Sequence, residues 1–462
     1  MNISRTLAEF VANTGFEDIP AHVIDVEKKS ILDNIAIISG GAYGDGCREF
    51  VEFAEEAAAG GRGEATVLGY NKKLPALWAA FANASMVMAL DFSDTSATAT
   101  IHPNTSTFPV CLALSERNGN VSGKDFLTAM VLGSEAACRL ARASAPARFA
   151  MYGFYMPPVI TSFGATAAAC KLLGLNADQI IDAWSINLSQ YTCSSELTKN
   201  KETPIRSVRE AFGAKSAMTS AFLAKKGIKG FKDPFEGAQG FYTAYFQGDY
   251  DAEAVLKDLG KDFEAAKLIF KPWPCCMGNH GCINAALNIM KDNDIKPEDI
   301  TAVKAEVPTV ARAVLEPAED KKHPLNAINA KYSIPFTVST AIIDGNVTLG
   351  SFSEESLKRE DVLTLASKFS HTLNDAWEKD PDMKTGGRLT IETKDGKSYD
   401  STVSKTLGNP ENPMSDEAFN AKFYSCMDKA FAPKTREEQT KILDTVRSLE
   451  KLSDIRELAD ML

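Results

Sequence analysis

The 462-residue sequence contains only 5 histidines and 4 tryptophans. It also has fewer basic than acidic side chains. The 50 Lys and Arg face 61 Asp and Glu. Such a chain lacks the broad basic faces that capture nucleic acid or an anionic membrane, so we expect neither as a partner. It also lacks the run of about 18 apolar residues that a membrane-spanning helix requires. One small cationic pocket can still hold an anionic substrate.

The nine cysteines show no spacing typical of a disulfide framework, and the N-terminus does not resemble a signal peptide. We therefore predict a cytoplasmic protein with reduced thiols. Cys275, Cys276 and Cys282 surround His280 and raise the question of a metal site. Their spacing matches neither a zinc ribbon nor an iron–sulfur motif, so no metal is predicted and buried thiols are the alternative.

The hydrophobic periodicity predicts a mainly α fold with a smaller α+β domain. Ala-rich segments at 74–90, 125–144, 161–173 and 211–225 repeat apolar residues every three or four positions, which is typical of packed helices. Ser122 and Asn176 each stand three residues before an acid or amide, as helix caps do. Alternating segments that start at 302 and 388, the second followed by an Asp-Gly turn, predict strands. We predict a helical domain over 1–267, an α+β domain over 268–405, and a helical segment over 406–462 that returns to the helical domain.

One of the five histidines lies in a loop with several short polar side chains. His102 follows Asp91, Asp94 and Thr95, and short polar side chains of this kind can orient an imidazole and set its tautomer. A capping cluster is the alternative, because Asp and Thr also favour helix ends. His371, by contrast, lies in a polar segment that we predict as helix.

Lys271 lies between apolar and aromatic residues, in Ile269-Phe-Lys-Pro-Trp-Pro274. A lysine that loses water in such surroundings can act as a base or bind a carboxylate. The alternative is a lysine that covers apolar surface with its stem and keeps its charge in water.

Five motifs in chain order resemble a known family. They are Ile19-Pro-Ala-His-Val, Asp91-Phe-Ser-Asp-Thr95 with His102-Pro103, Gly153-Phe-Tyr155, Lys271-Pro-Trp-Pro-Cys-Cys276, and Ala330-Lys-Tyr-Ser-Ile-Pro-Phe336. Together they are similar to the MmgE/PrpD family, which includes 2-methylcitrate dehydratase, cis-aconitate decarboxylase and iminodisuccinate epimerase. The resemblance implies a large helical domain built from both chain ends, a smaller α+β lid, a cleft between them and a homodimer. It also implies small di- and tricarboxylate substrates, with no metal and no organic cofactor.

The resemblance also implies functional residues, with three departures. Asp91, Thr95, His102 and Lys271 fall on family active-site positions. Tyr155 stands where the family commonly has a histidine, Arg206 where it has a lysine (with Arg209 close by), and Met277 where an arginine follows the cysteine pair. We predict the catalytic residues His102, Lys271, Tyr155 and Asp91, and the substrate-binding residues Thr95, Asp94, Arg206 and His280.

The predicted activity is that of a cofactor-independent lyase of the dehydratase type. It would remove a proton next to a carboxylate of a small hydroxylated di- or tricarboxylate, with cations holding the developing charge. One alternative is an epimerase of an amino- or imino-dicarboxylate that uses Tyr155 and Lys271. Another is a decarboxylase of a cis-aconitate-like acid, and the last is a carboxylate-binding family member without catalysis.

Overall fold

A computed structural model describes residues 2–144, 151–200, 203–378, 380 and 382–462. The chain divides into two units: a helical unit, Met1–Phe270 with Asn420–Leu462, and an α+β unit, Lys271–Phe419. The boundaries fall at 270/271 and 419/420, compared with the 267/268 and 405/406 that the sequence predicted. The predicted class, mainly helical with a small sheet in the C-terminal region, is confirmed.

The first part of the helical unit contains short strand pairs among many helices. The antiparallel pairs are β1 (Ala65–Val67) with β2 (Lys72–Leu74), and β3 (Thr95–Ser96) with β4 (Leu268–Ile269). The helices are α1 Ile3–Asn13, α2 Ala21–Gly40, α3 Cys47–Ala57, α4 Ala76–Met86, α5 Asn104–Asn118, α6 Gly123–Ala143, α7 Met156–Leu172, α8 Ala177–Leu188, α9 Ile205–Val208, α10 Glu210–Lys225, α11 Phe241–Phe246 and α12 Ala252–Leu256.

Helix α7 forms the centre of this unit and packs against α5, α6, α8 and α10. Its residues from Met156 to Cys170 are all buried. Small side chains allow the neighbouring helices to approach closely: a Cβ added to Gly164 would lie 2.4 Å from the carbonyl oxygen of Gly133 in α6. The small-residue pattern therefore has a direct packing cause, because backbone meets backbone at this crossing.

The two predicted helix caps are confirmed. The Ser122 hydroxyl accepts a hydrogen bond from the Asp125 amide at 3.1 Å. The Asn176 side chain accepts from the Gln179 amide at 3.0 Å, and the Gln179 side chain accepts from the Asn176 amide at 3.1 Å. These bonds satisfy backbone donors that the first turn of a helix leaves without a partner, and so fix where α6 and α8 begin.

In the described part of the α+β unit, six helices accompany a four-stranded sheet of order β6-β5-β7-β8. Strand β6 runs parallel to β5, and the other neighbours are antiparallel. The prediction of helix around His371 is wrong, because His371 lies in β6 opposite Ala305 of β5. The elements are α13 Met277–Asp292, β5 Ile300–Pro308, α14 Ala318–Lys322, α15 Ala327–Lys331, α16 Ile334–Asp344, α17 Glu360–Ser367, β6 Phe369–Asn374, α18 Asp375–Glu378, β7 Gly387–Thr393 and β8 Ser398–Val403.

The chain then re-enters the helical unit within α19 (Asp416–Met427) and continues through α20 (Arg436–Arg447) and α21 (Arg456–Ala459). Helix α19 packs closely on the end of α2, where a Cβ added to Gly40 would lie 2.6 Å from the Cys426 carbonyl oxygen. Across the described ranges, no helix has both the length and the apolar character needed to cross a membrane.

Candidate active site

Four of the predicted site residues lie between α4 and α5: Asp91, Asp94, Thr95 and His102. Asp91 is 2% exposed and adopts a left-handed backbone conformation with φ 50°, which aspartate tolerates better than most residues. Its amide donates to the Met88 carbonyl oxygen at 3.0 Å. Thr95 pairs with Ile269 in the β3–β4 ladder. The loop is therefore held at both ends, as a rigid platform for functional side chains requires.

His102 is half-buried, and this loop contacts the Nδ1 edge of its ring. Its Nδ1 lies 2.8 Å from the Asp94 carbonyl oxygen, 3.0 Å from Ser93 Oγ and 3.1 Å from Thr95 Oγ1. Because a carbonyl oxygen only accepts, the hydrogen-bond network assigns the proton of the neutral ring to Nδ1. Nε2 then carries the lone pair of the neutral ring. It can take up a proton and, once protonated, deliver it.

The Asp94 carboxylate has different partners from the Asp94 carbonyl oxygen. It is fully buried and accepts hydrogen bonds from Ser30 Oγ at 2.5 Å and Asn104 Nδ2 at 3.3 Å. Burial, with the charge of Asp33 second, raises the pKa of Asp94 to about 7. The backbone of Asp94 therefore orients His102, whereas sequence reasoning looked to the carboxylates. The substrate-binding role of Asp94 stays a prediction.

Tyr155 lies in a second cluster, next to a charged pair at the start of α10. The guanidinium carbon of Arg209 is 5.4 Å from the centroid of the Tyr155 ring, a cation–π geometry. Arg209 is 3% exposed, and its Nε lies 3.4 Å from Glu210 Oε1. It also donates to the Arg206 carbonyl oxygen. The structure thus places Arg209 on Tyr155, a contact that the sequence did not assign.

Glu210 connects this cluster to the His102 segment. The Thr105 hydroxyl lies 2.7 Å from the His102 carbonyl oxygen and 3.3 Å from Glu210 Oε2. Burial raises the pKa of Glu210, while the charge of Arg209 acts in the opposite direction. A continuous chain of contacts therefore joins His102, Thr105, Glu210, Arg209 and Tyr155 within the helical unit.

Lys271 and His280 belong to the α+β unit. Lys271 is its first residue, is buried, and follows by two positions the Ile269 that pairs with Thr95. His280 is fully buried in α13, with Nε2 3.2 Å from the Cys275 carbonyl oxygen and its ring centroid 5.3 Å from that of Trp273. The catalytic role of Lys271 and the substrate-binding role of His280 both stay predictions.

Comparison with known proteins covers most of the chain. Residues 5–253 match the MmgE/PrpD N-terminal domain, and residues 273–448 match the MmgE/PrpD C-terminal domain. The chain belongs to the MmgE/PrpD family. The resemblance that the five motifs carried is thus confirmed. The N-terminal match includes His102 and Tyr155, and the C-terminal match includes His280.

Similar MmgE/PrpD proteins occur in fungi and mammals. The "Cis-aconitate decarboxylase-like protein oryM" of Aspergillus oryzae is 27% identical over 99% of this chain and 96% of the relative. The "Cis-aconitate decarboxylase" of Aspergillus terreus is 26% identical over 100% of this chain and 96% of the relative. The protein of the same name from Mus musculus is 26% identical over 99% of this chain and 93% of the relative.

Proposed function

We propose that this protein is a lyase acting on a small di- or tricarboxylate, and that decarboxylation of a cis-aconitate-like acid is its first candidate reaction. The sequence alone ranked dehydration first. The order changes because fungal and mammalian relatives that match nearly the whole chain carry the name cis-aconitate decarboxylase. The homodimer and the cytoplasmic location that the family and the composition imply remain predictions.

The orientation of His102 carries the chemical argument. Its Nδ1 is committed to the Asp94 carbonyl oxygen at 2.8 Å, so Nε2 is the nitrogen that exchanges protons. In decarboxylation of an unsaturated acid, the bond between carbon and the departing carboxylate breaks and CO2 leaves. The electron pair shifts through the double bond, and a proton from the protonated Nε2 forms the new C–H bond. The reaction then balances without an oxidant or reductant.

Arg209 and Tyr155 supply the complementary chemistry in this proposal. A guanidinium binds carboxylates with paired donors and stays charged at any physiological pH. The phenol beside it can donate a hydrogen bond to a substrate oxygen or a developing enolate. We assign carboxylate binding to Arg209 first, since it is the arginine that contacts the Tyr155 ring. Lys271 is a further candidate cation.

Dehydration of a hydroxylated acid is the second candidate. It is supported by Tyr155, which stands where the family commonly has histidine, and by Met277, which stands where it has arginine. The histidine and the arginine, which this chain lacks at those two positions, are the side chains associated with the decarboxylase pattern. A phenol is a proton donor near neutral pH, which suits protonation of a leaving hydroxyl. Removal of the C–H proton by Nε2 and departure of water would then form the double bond.

The test is incubation of the purified protein with cis-aconitate, citrate, 2-methylcitrate and an imino-dicarboxylate in D2O, followed by NMR and CO2 measurement. CO2 release with a new deuterated carbon supports decarboxylation, and a new double bond without CO2 supports dehydration. Deuterium exchange without either product would support the epimerase alternative instead. No turnover and no exchange with any acid would favour a non-catalytic protein.

The matched variants are His102→Gln and His22→Gln. Glutamine cannot carry a proton between substrate atoms, so we expect His102→Gln to lower kcat by about 100-fold or more. His22 is exposed at the start of α2, and its replacement should leave kcat unchanged. Equal activity of both variants would refute the assignment of His102.

A further inference from the structure

A buried lysine from the C-terminal part of the chain contacts the loop that orients His102. Lys422 in α19 is 5% exposed, although lysine is rarely buried unless it is paired. Its Nζ lies 2.6 Å from Asp33 Oδ1 and donates to the Phe92 carbonyl oxygen at 2.7 Å. It also lies 4.0 Å from the centroid of the Phe92 ring. These contacts fix the ammonium from three sides.

The same lysine reaches Asp94 through its carboxylate partner. Asp33 Oδ2 accepts a hydrogen bond from the Asp94 amide at 3.0 Å. The carbonyl of Asp94 is in turn the acceptor for His102 Nδ1. Lys422 therefore holds the loop directly at Phe92 and indirectly at Asp94, the residue whose backbone sets the histidine tautomer.

We propose that Lys422 is a positioning residue for His102: with Asp33 it clamps the Phe92–Asp94 backbone so that the Asp94 carbonyl oxygen accepts the Nδ1 hydrogen and the lone pair of the neutral ring lies on Nε2. The kinetic part of this proposal rests on the proposed function. The part that concerns the tautomer of His102 does not, because it can be measured in the protein without substrate.

The charges around Lys422 support a single strong ion pair. Two more carboxyl groups lie in the same buried network, Glu27 and Asp94. Burial raises the pKa of Glu27 well above its usual value, and the charge of Asp94 adds to that rise. A side-chain hydrogen bond between Glu27 and Asn104 acts in the opposite direction on the pKa of Glu27. Asp33 is the carboxylate in direct contact with the Lys422 ammonium, at 2.6 Å.

The test compares three variants: Lys422→Met, the double variant Lys422→Met with Asp33→Asn, and the control Lys429→Met. Methionine keeps the length of the lysine stem but removes both polar contacts. The single variant leaves the Asp33 charge buried without its partner and can fail to fold for that reason alone. In the double variant an amide replaces that charge and its oxygen still accepts from the Asp94 amide. Lys429 is exposed in the same segment.

The first measurement is NMR of protein with 15N-labelled histidine, which reports the protonated nitrogen of each of the five histidines. Parent and Lys429→Met should show His102 protonated at Nδ1. The Lys422 variants that fold should show a mixture of both tautomers. The second measurement is kinetics on whichever acid is turned over. We expect kcat to fall between 10- and 100-fold, on the order of the effect of misplacing a catalytic group, with little change in KM.

Two results would overturn the proposal. One is a folded double variant that retains the parent's His102 signal and kcat, because Lys422 would then serve stability alone. The other is a parent protein in which His102 carries its proton on Nε2. Absence of turnover would count against the proposed function only, since the tautomer measurement decides the positioning role independently.

Discussion

The ionisation of Asp94 offers a quantitative check on the buried network behind His102. Burial and the charge of Asp33 raise the pKa of Asp94 from 3.8 to about 7. The folded protein therefore holds this proton more tightly than the unfolded chain does. It follows that the contribution of Asp94 to the free energy of unfolding is greatest at low pH and is lost as pH rises through about 7.

The separation between 3.8 and about 7 corresponds to about 4 kcal/mol when the loss is complete. About 2.5 kcal/mol of it develops between pH 5 and pH 8. Asp94→Asn removes the ionisation, while its amide oxygen can still accept from Ser30 and Asn104. We expect the free energy of unfolding of the variant, relative to the parent, to increase by about 2.5 kcal/mol from pH 5 to pH 8.

The assay is urea unfolding followed by circular dichroism at several pH values, with linear extrapolation to zero urea. Asp178→Asn is the control, because Asp178 has a side chain that is 67% exposed and forms a surface ion pair with Arg5. That substitution should change the free energy of unfolding by no more than about 1 kcal/mol at any pH. If the difference between Asp94→Asn and the parent is the same at pH 5 and pH 8, Asp94 ionises as an ordinary carboxyl group and the reasoning fails.

Two further predictions follow from the helical unit. Gly164→Ala should lower the free energy of unfolding by about 1–3 kcal/mol in the same assay, because the added Cβ would lie 2.4 Å from the Gly133 carbonyl oxygen. Unchanged stability would show that α6 and α7 can separate without cost. Arg209→Lys should lower kcat/KM by about tenfold because the planar contact with Tyr155 is lost. Arg206→Lys is compared with it, because Arg206 is the arginine to which the sequence assigned substrate binding, and equal effects of the two substitutions would contradict the assignment of carboxylate binding to Arg209.

Much of the fold was predictable because its signals are local. The caps at Ser122 and Asn176 depend on residues three positions apart, and the Asp395-Gly396 turn joins β7 to β8 as expected. The segment around His371 differs, because its structure depends on a partner strand. Its polar residues suggested a helix, but parallel pairing with β5 makes it a strand, and that partner is distant in sequence.

The candidate site was predictable in part for the same reason. Asp91, Thr95 and His102 lie within twelve residues of one another, so a short motif carried them. Arg209 gave a weaker signal, as one of two arginines before an Ala-rich helix. Which of them contacts Tyr155 depends on how α9 and α10 pack.

The sequence by itself determined the family, the helical character and the loop that carries His102, because these depend on motifs and on periodicity over a few turns. Only the tertiary structure decided that the Asp94 carboxylate points into a buried network, and that its carbonyl oxygen holds the histidine. It also decided that Lys422 donates to the Phe92 carbonyl oxygen across 330 positions of the chain. The physical reason is that burial and ion pairing depend on which distant segments meet, and in this chain α19 returns to pack beside α2.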